Sequence, residues 1–555
     1  MGRVYAIETL VFPVLGDNPW SPWFCTFWGV SGQLGVGYSQ RGVLSRCMTG
    51  QLCAWLRMGS IVFDGACRNG YLMVQTSASF RKDDRDKDSS ISLSEVISAL
   101  SFALDLTEGA VWGHALRSCL LGMRIADEIK LSDEKRSSLY FALLLKDVGC
   151  SSNASRMCEI IGGDDRAVKA GAKLEDWTKP HKPKLSGLKL LWDNVLPGSG
   201  PFDRIARIIR IGMTQHRNNE EMIGLRCDRG ASIVTKLGLG VDTAEAVRSL
   251  DEHWDGDGYP DSLKGEQISL LARICAVAQH LDVFSSERGV EAAMDTLVER
   301  SGKWFDPELV RVAVALHRSG ALWNNCLATD SQDDTRRAVL DLDGGRRHKL
   351  GTGRIDQICE AFADVVDAKS HFTFRHSMGV ADAAMSIAQG MGLPMERVQL
   401  VRRAALLHDI GKLSVSNTIL DKATKLNEAE WKVVERHPGL TQQILQRVGP
   451  FREMAIIAGE HHEKLDGSGY PKRLMAPQLS LESRIIAVAD VYGALSENRP
   501  YRVALGNDEI LAIMTKLAPH KLDGDCMDVL VGLLSDGVDV AYESQTSVDA
   551  VRVCA

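Results

Sequence analysis

The sequence predicts an all-α protein built on an internal tandem repeat. From Leu93 onward the apolar residues fall into long runs such as "EVISALSFALDL", "SSLYFALLL" and "RIDQICEAFADVVDAK", with no Gly or Pro to punctuate them, which is the signature of buried helices. Two separated stretches, "GHALRSCLLGMRIADEIKLSDEKRSSLYFALLLKDVGC" and "RHSMGVADAAMSIAQGMGLPMERVQLVRRAALLHDIGK", follow one spacing: His114 to Lys146 and His376 to His408 are each 32 residues apart. A second spacing agrees, 20 residues from Tyr259 to Gln279 and from Tyr470 to Asp490, beside the matching texts "ARICAVAQHL" and "SRIIAVADVY".

Along the chain, four of the eleven tryptophans (Trp20, Trp23, Trp28 and Trp55) lie among glycines before residue 73, with no sustained period of 2 or 3.6. Residues 1–88 therefore read as a poorly ordered extension and linker, with Met73 as an alternative start and "RKDDRDKD" (81–88) as a solvated charge run. Residues 89–329 form the first repeat. The polar, Gly-containing stretch 330–353 reads as an interdomain linker, 354–537 is the second repeat, and 538–555 is a C-terminal tail.

Composition bounds the function. Hydrophobic content of 45% and charged content of 25% are those of an ordinary soluble protein. A net charge of −7 argues against a polymeric nucleic-acid partner. No run reaches the roughly 18–20 apolar residues of a membrane span, and Glu8 and Pro13 interrupt the opening apolar stretch, so neither a span nor a secretory signal is expected. Thirteen scattered cysteines without a CxxC pair point to a reducing cytoplasm.

The second repeat concentrates metal-ligand chemistry. It holds His376, the pair His408-Asp409, His437, the pair His461-His462, and Asp490. His376 shares a helical stripe with Val380, Ala383 and Ile387, and "AALLHDI" and "IIAVAD" deliver His408, Asp409 and Asp490 from apolar runs. A buried carboxylate without a partner is expensive, and a cation relieves it. Imidazole with carboxylate suits first-row divalent ions. Seven ligands exceed what one ion takes, so two ions are expected.

With "HDIGK" and "HHEKLDGSGYP" in place, residues 354–537 closely resemble the HD-GYP subgroup of the HD metal-dependent phosphohydrolases. The resemblance implies a helical fold with an Fe or Mn centre on the seven residues just named, Asp409 bridging, and hydrolysis of cyclic di-GMP by a metal-activated water to linear pGpG, with GMP from a second cleavage. It implies that Lys412 serves catalysis and faces the phosphate, that Arg499 and Arg502 of "ENRPYR" hold the scissile group, and that Gly469, Tyr470 and Pro471 form a loop at the substrate site. That loop is also a candidate docking surface for partner proteins. Trinuclear members carry a glutamate one turn before the first histidine; here Phe372 stands there, with His371 one residue off register, so a dinuclear centre is expected. Two alternatives stay open: a signalling scaffold with low turnover, and a hydrolase of another cyclic dinucleotide or nucleotide.

The first repeat keeps the frame and loses the ligands. Lys146 replaces the first residue of the His-Asp pair, Leu250 and Asp251 oppose His461-His462, Gln279 opposes Asp490, and a one-residue gap puts Cys227 opposite His437. His114, Asp147, Cys227 and Asp251 remain as ligand types, and no metal or hydrolysis is expected there. Its readings are a packing or homodimerisation module, or a regulatory pocket for a nucleotide or partner.

Overall fold

In the computed structural model, which describes residues 91–175, 185–343, 350–370, 372–373, 375–499 and 502–536 together with the backbone of seven strands between Thr9 and Thr76, the helical run begins at Leu93. Of helix Leu93–Thr107 every residue but Glu95 is buried, as its unpunctuated apolar text requires. From Ile91 onward the described residues contain helices and no strand, so the all-α class holds there.

The duplication is visible element by element. Helices His114–Glu128 and His376–Gly390 each begin on the repeat's first histidine. Each is started by an aspartate nine residues earlier in the chain. Asp105 accepts from the amides of Gly113 (2.7 Å) and Ala115 (3.1 Å), and Asp367 accepts from the Ser377 amide (3.1 Å) and hydroxyl (2.6 Å). These bonds satisfy donors that a helix start leaves open. Burial pushes both carboxyls up to about 7. Helices Leu270–Arg288 and Leu481–Ser496 likewise start on matching serine caps, Ser269 and Ser480.

The repeats are not separate domains. Residues Ser90–Ala555 form one compact unit with a continuous apolar core that runs from Leu93 through Leu530. Helix Leu93–Thr107 packs on the 3-10 turn Ile410–Ser414 and on helix His437–Leu445 of the second repeat. The Arg447 guanidinium lies 3.7 Å from the centre of the Phe102 ring across this seam. Asp165, fully buried, crosses it too: it accepts from the Asn417 amide (3.0 Å) and Ser416 hydroxyl (3.1 Å) and lies 3.5 Å from the buried Lys369 ammonium.

One expectation is corrected. The stretch 330–353, read as a linker, contains helix Gln332–Leu342, capped by Ser331 and anchored by buried Val339. Arg336 fixes it to the core by donating to the Glu95 carbonyl (3.1 Å). Among residues 1–88 the described elements are seven strands within a separate unit, Met1–Ser89. Five of them form an antiparallel sheet in the order Thr9–Pro13, Tyr71–Thr76, Ile61–Arg68, Leu52–Met58, Ser45–Arg46; Phe24–Thr26 pairs with Arg41–Val43. The tail 538–555, the charge run 81–88 and His371 lie outside the described residues. No described helix is long and apolar enough to cross a membrane.

Removing the Asp165 carboxylate leaves Lys369 buried without its counter-charge. Asp165→Ala is expected to destabilise the chain by about 3–5 kcal/mol, the usual cost of breaking a buried pair from one side. A urea midpoint equal to wild type would show that the repeats cohere without it.

Candidate metal centre

Five segments of the second repeat bring the predicted ligands to one point. His376 opens helix His376–Gly390; His408 and Asp409 end helix Met395–Leu407; His437 opens helix His437–Leu445; His461 and His462 follow helix Arg452–Gly459; Asp490 lies within helix Leu481–Ser496. The approach of the His437 turn to the His-Asp pair depends on Gly411, where a Cβ would lie 2.1 Å from the His437 carbonyl oxygen. Gly493, one turn beyond Asp490, leaves room for Val380 and the His376 ring. All seven predicted ligands converge, and six are buried; His462 is half-buried.

Three of the imidazoles are held in one tautomer by the chain itself. The Nδ1 atoms of His408, His437 and His461 lie 2.6, 2.6 and 2.7 Å from the carbonyl oxygens of Ala405, Val434 and Ala458. A carbonyl only accepts, so each Nδ1 carries the hydrogen and each Nε2 turns a lone pair inward. Those lone pairs meet other acceptors. His437 Nε2 and His461 Nε2 are 3.1 Å apart; Asp409 Oδ1 is 3.2 and 3.7 Å from them, and Asp409 Oδ2 is 3.2 Å from His408 Nε2. On the other flank, His376 Nε2 lies 3.4 Å from Asp490 Oδ1, and His462 Nδ1 lies 3.5 Å from Asp490 Oδ2.

Acceptors facing acceptors in a dry interior cannot hydrogen-bond to one another. His376 Nε2, His408 Nε2 and Asp409 Oδ1 are buried without a hydrogen-bond partner. Burial holds His437, His461 and His462 below the usual imidazole range, hence neutral, the ligating form. Burial would raise Asp409, but the Lys412 ammonium beside it keeps its carboxyl well below the usual carboxylate range. Neutral imidazoles, ionised carboxylates and orphaned lone pairs fit divalent cations; the trios His376, His408, Asp490, then His408, Asp409, His461, then His437, His461, His462 each bring ligand atoms within 4.8 Å of one another.

The remaining predicted residues divide. Lys412 Nζ lies 2.5 Å from Asp409 Oδ2, and with Asp409 and Arg499 it lines a cavity of about 100 Å³ beside the centre, where Phe372 forms part of the wall. Arg502 does not line this cavity: its guanidinium donates to the carbonyls of Ala494, Leu495 and Val503 and closes the end of helix Leu481–Ser496. Gly469 is forced by the backbone, since a Cβ would sit 2.4 Å from the Lys464 nitrogen. The Tyr470 ring packs 4.8 Å from the His462 ring, and Pro471 follows it. Sequence reasoning missed Glu497. Its carboxylate is 3.0 Å from His376 Nδ1 and 3.2 Å from Arg499, which orients His376 as a carboxylate orients a ligating imidazole. Its signal was the acid inside "ENRPYR" itself.

The first repeat fills the equivalent space with fixed cations. The Lys146 ammonium lies 2.6 Å from His114 Nε2 and contacts Asp147. Gly149 approaches the Arg226 carbonyl as Gly411 approaches that of His437, a Cβ falling 2.0 Å away. Arg226, not Cys227, is therefore the counterpart of His437, and the one-residue gap is removed; Arg226 pairs with Asp251. Asp282 stands at the register position of Gly493 and binds His114 Nδ1 and Arg117 Nε, each at 2.5 Å. Glu108, Asp147 and Cys150 do cluster, but Lys173 lies 2.7 Å from Glu108 and 3.6 Å from Asp147.

A helical bundle that gathers His, His-Asp, His, His-His and Asp around one buried point is an HD-type phosphohydrolase centre. The family model described as "HD domain" matches residues 203–309 and 360–526. The chain is 41% identical over 444 residues to the "3'3'-cGAMP-specific phosphodiesterase 3" of Vibrio cholerae, covering 79% of this chain and 94% of that protein. It is 40% identical over 147 residues to the "Cyclic di-GMP phosphodiesterase response regulator RpfG" of Xanthomonas campestris, covering 26% of this chain and 39% of that one. The crystal structure of a cyclic GMP-AMP specific phosphodiesterase of V. cholerae (V-cGAP3) superposes with a TM-score of 0.55 at 37% identity, covering 80% of this chain and 98% of that one. The chain belongs to the HD-domain family, in its HD-GYP group of phosphodiesterases.

Gly411→Ala is expected to push the His437 turn away and lower bound metal by at least half, read by elemental analysis of folded protein. Retention of the wild-type metal content would show that the contact yields without cost.

Proposed function

We propose that the second repeat hydrolyses a cyclic dinucleotide, 3'3'-cyclic GMP-AMP ahead of cyclic di-GMP, with two divalent ions on its seven ligands. The observation that carries the chemistry is the Asp409-centred set of buried acceptors. The preference rests on extent of similarity: the cyclic GMP-AMP enzyme is matched over 94% of its length, the cyclic di-GMP regulator over 39%. It replaces the expectation of cyclic di-GMP as first substrate.

His376, His408, Asp409 and Asp490 would hold one ion, and Asp409, His437, His461 and His462 the other, with Asp409 bridging. When bound, such ions supply an acidified water and electrophilic anchors for a phosphate. The chain's own residues do the rest. Lys412 and Arg499 face the same cavity and offset charge that grows on the phosphoryl oxygens. Glu497 fixes the His376 ring, and the carbonyls of Ala405, Val434 and Ala458 keep three Nε2 atoms unprotonated. Attack of a water oxygen at phosphorus, with a proton passing to the departing 3' oxygen, breaks the P–O3' bond and opens the ring to a linear dinucleotide with a 5' phosphate.

Protein loaded with Mn or Fe, given cyclic GMP-AMP, cyclic di-GMP and cyclic di-AMP separately, is expected to linearise the first with the highest kcat/KM. His408→Ala with Asp409→Ala is expected to lose at least a thousandfold. Equal or greater kcat/KM on cyclic di-GMP would reverse the preference, and no turnover of any would leave the scaffold reading. Phe372 offers no ligand atom, so metal analysis is expected to give about two ions per chain; three would refute the dinuclear assignment.

A further inference from the structure

The first repeat keeps a cavity where the second keeps its centre. It measures about 200 Å³ and is lined from both sides of the former ligand set: Gln279 and Asp251 stand at the register of Asp490 and His462, and Arg226 at that of His437. Its lining combines Lys169, Lys173 and Arg226 with Glu108, Asp251 and Glu252, and apolar Met222, Ile223 and Val283 with Trp304 and Phe305.

Unmet polar groups line this space. Asn153, 4% exposed, has its Oδ1 without a hydrogen-bond partner, and His280, 6% exposed, has the same at Nε2. Half-buried Gln279 adds its Oε1. All three side chains line the cavity, and buried amide and imidazole atoms left open cost stability unless something completes them. Lys146, Lys169, Lys173 and Arg226 gather around Glu108, Asp147 and Asp251. Glu252 turns instead to the loop amides of Asp261 (2.7 Å) and Leu263 (2.9 Å). The second repeat awaits cations; the first has its own, with Lys146, Lys169, Lys173 and Arg226 set against Glu108, Asp147, Asp251 and Glu252.

We infer that this cavity is a ligand site for a nucleoside monophosphate: the base lies against the apolar lining, Asn153 and Gln279 meet its polar edge, and Lys173 with Lys169 and Arg226 meets the phosphate. Pockets for drug-sized ligands run about 300–1,000 Å³, so a cavity of about 200 Å³ excludes a whole cyclic dinucleotide. The inference stands on the first repeat alone, whatever the second repeat hydrolyses.

The test uses the full chain carrying His408→Ala and Asp409→Ala, so that the second repeat neither turns over nor holds metal. Calorimetric titration with GMP and AMP is expected to give one site per chain for at least one of them. Guanosine, adenosine and inorganic phosphate are each expected to bind at least tenfold more weakly. Lys173→Met removes a phosphate partner, and Met222→Trp fills the cavity from a half-buried helix position; each is expected to weaken binding at least tenfold. Because Lys173 is partly buried, the Met222→Trp result decides if Lys173→Met does not fold. Absence of binding by both nucleotides, binding that Met222→Trp leaves unchanged, or inorganic phosphate binding as tightly as a nucleotide would each overturn the inference.

Discussion

Everything in the second repeat turns on one electrostatic constraint: two ionised carboxylates and at least three neutral imidazoles present lone pairs to one another where water cannot reach. Asp409 stands at the middle, its oxygens 3.2 Å from His437 Nε2 and from His408 Nε2. In a medium of low dielectric such an arrangement is costly until a cation completes it. The backbone enforces the constraint instead of relieving it. Three carbonyls, each three residues before its histidine, pin the hydrogens on the outer nitrogens. The protein is thereby preorganised for metal at a cost in stability, as functional sites commonly are.

The first repeat shows the same constraint met covalently. Lys146 brings its ammonium to the place that His408 leaves for a metal, and Arg226 brings a guanidinium to the place of His437. Burial and the Lys146 charge hold His114 down to about 4, so it stays neutral and accepts from the lysine while donating to Asp282. Asp282 and Arg117 occupy volume that glycine leaves open in the other repeat. This repeat folds around internal salt bridges, and it lends the second a shared core through helix Leu93–Thr107 and Asp165.

Much of this was legible in residues alone because the two repeats are read against each other. Equal spacings fixed which positions correspond, and the ligand set followed from residue types that end apolar runs. What escaped reading was of two kinds. Arg226 and Arg502 depended on a third dimension: only the Gly149 contact separates Arg226 from its neighbour Cys227, and only the carbonyls at a helix end show where Arg502 spends its donors. The strands before residue 77 escaped because texts such as "LCAWLRM", "IVFDGACR" and "YLMVQT" do not alternate apolar with polar residues. Yet Gly59-Ser60 and Asn69-Gly70 are two-residue hairpin signals, and the flanking registers Met58↔Ile61 and Arg68↔Tyr71 agree with them. The linker at 330–353 was misread because its helix is amphipathic and polar, with an apolar face only wide enough to bury Val339.

The Gly-Tyr-Pro loops settle what the visible motif is for. In each repeat a glutamate seven residues before the tyrosine accepts two loop amides: Glu463 from Lys472 (2.6 Å) and Leu474 (2.9 Å), Glu252 from Asp261 (2.7 Å) and Leu263 (2.9 Å). The tyrosine amide donates back to the residue eight before it, His462 in one repeat and Asp251 in the other. The last glycine sits where a Cβ would strike backbone, 2.4 Å from Lys464 N and 2.2 Å from His253 N. None of these interactions involves a metal ligand's side chain, so the loop closes equally well with or without a centre beside it. Chemistry enters through one residue at its base: where that residue is His462, the Tyr470 ring packs on an imidazole, and where it is Asp251, a guanidinium takes its place. Two identical loops can therefore frame one site built for cations and one already supplied with them.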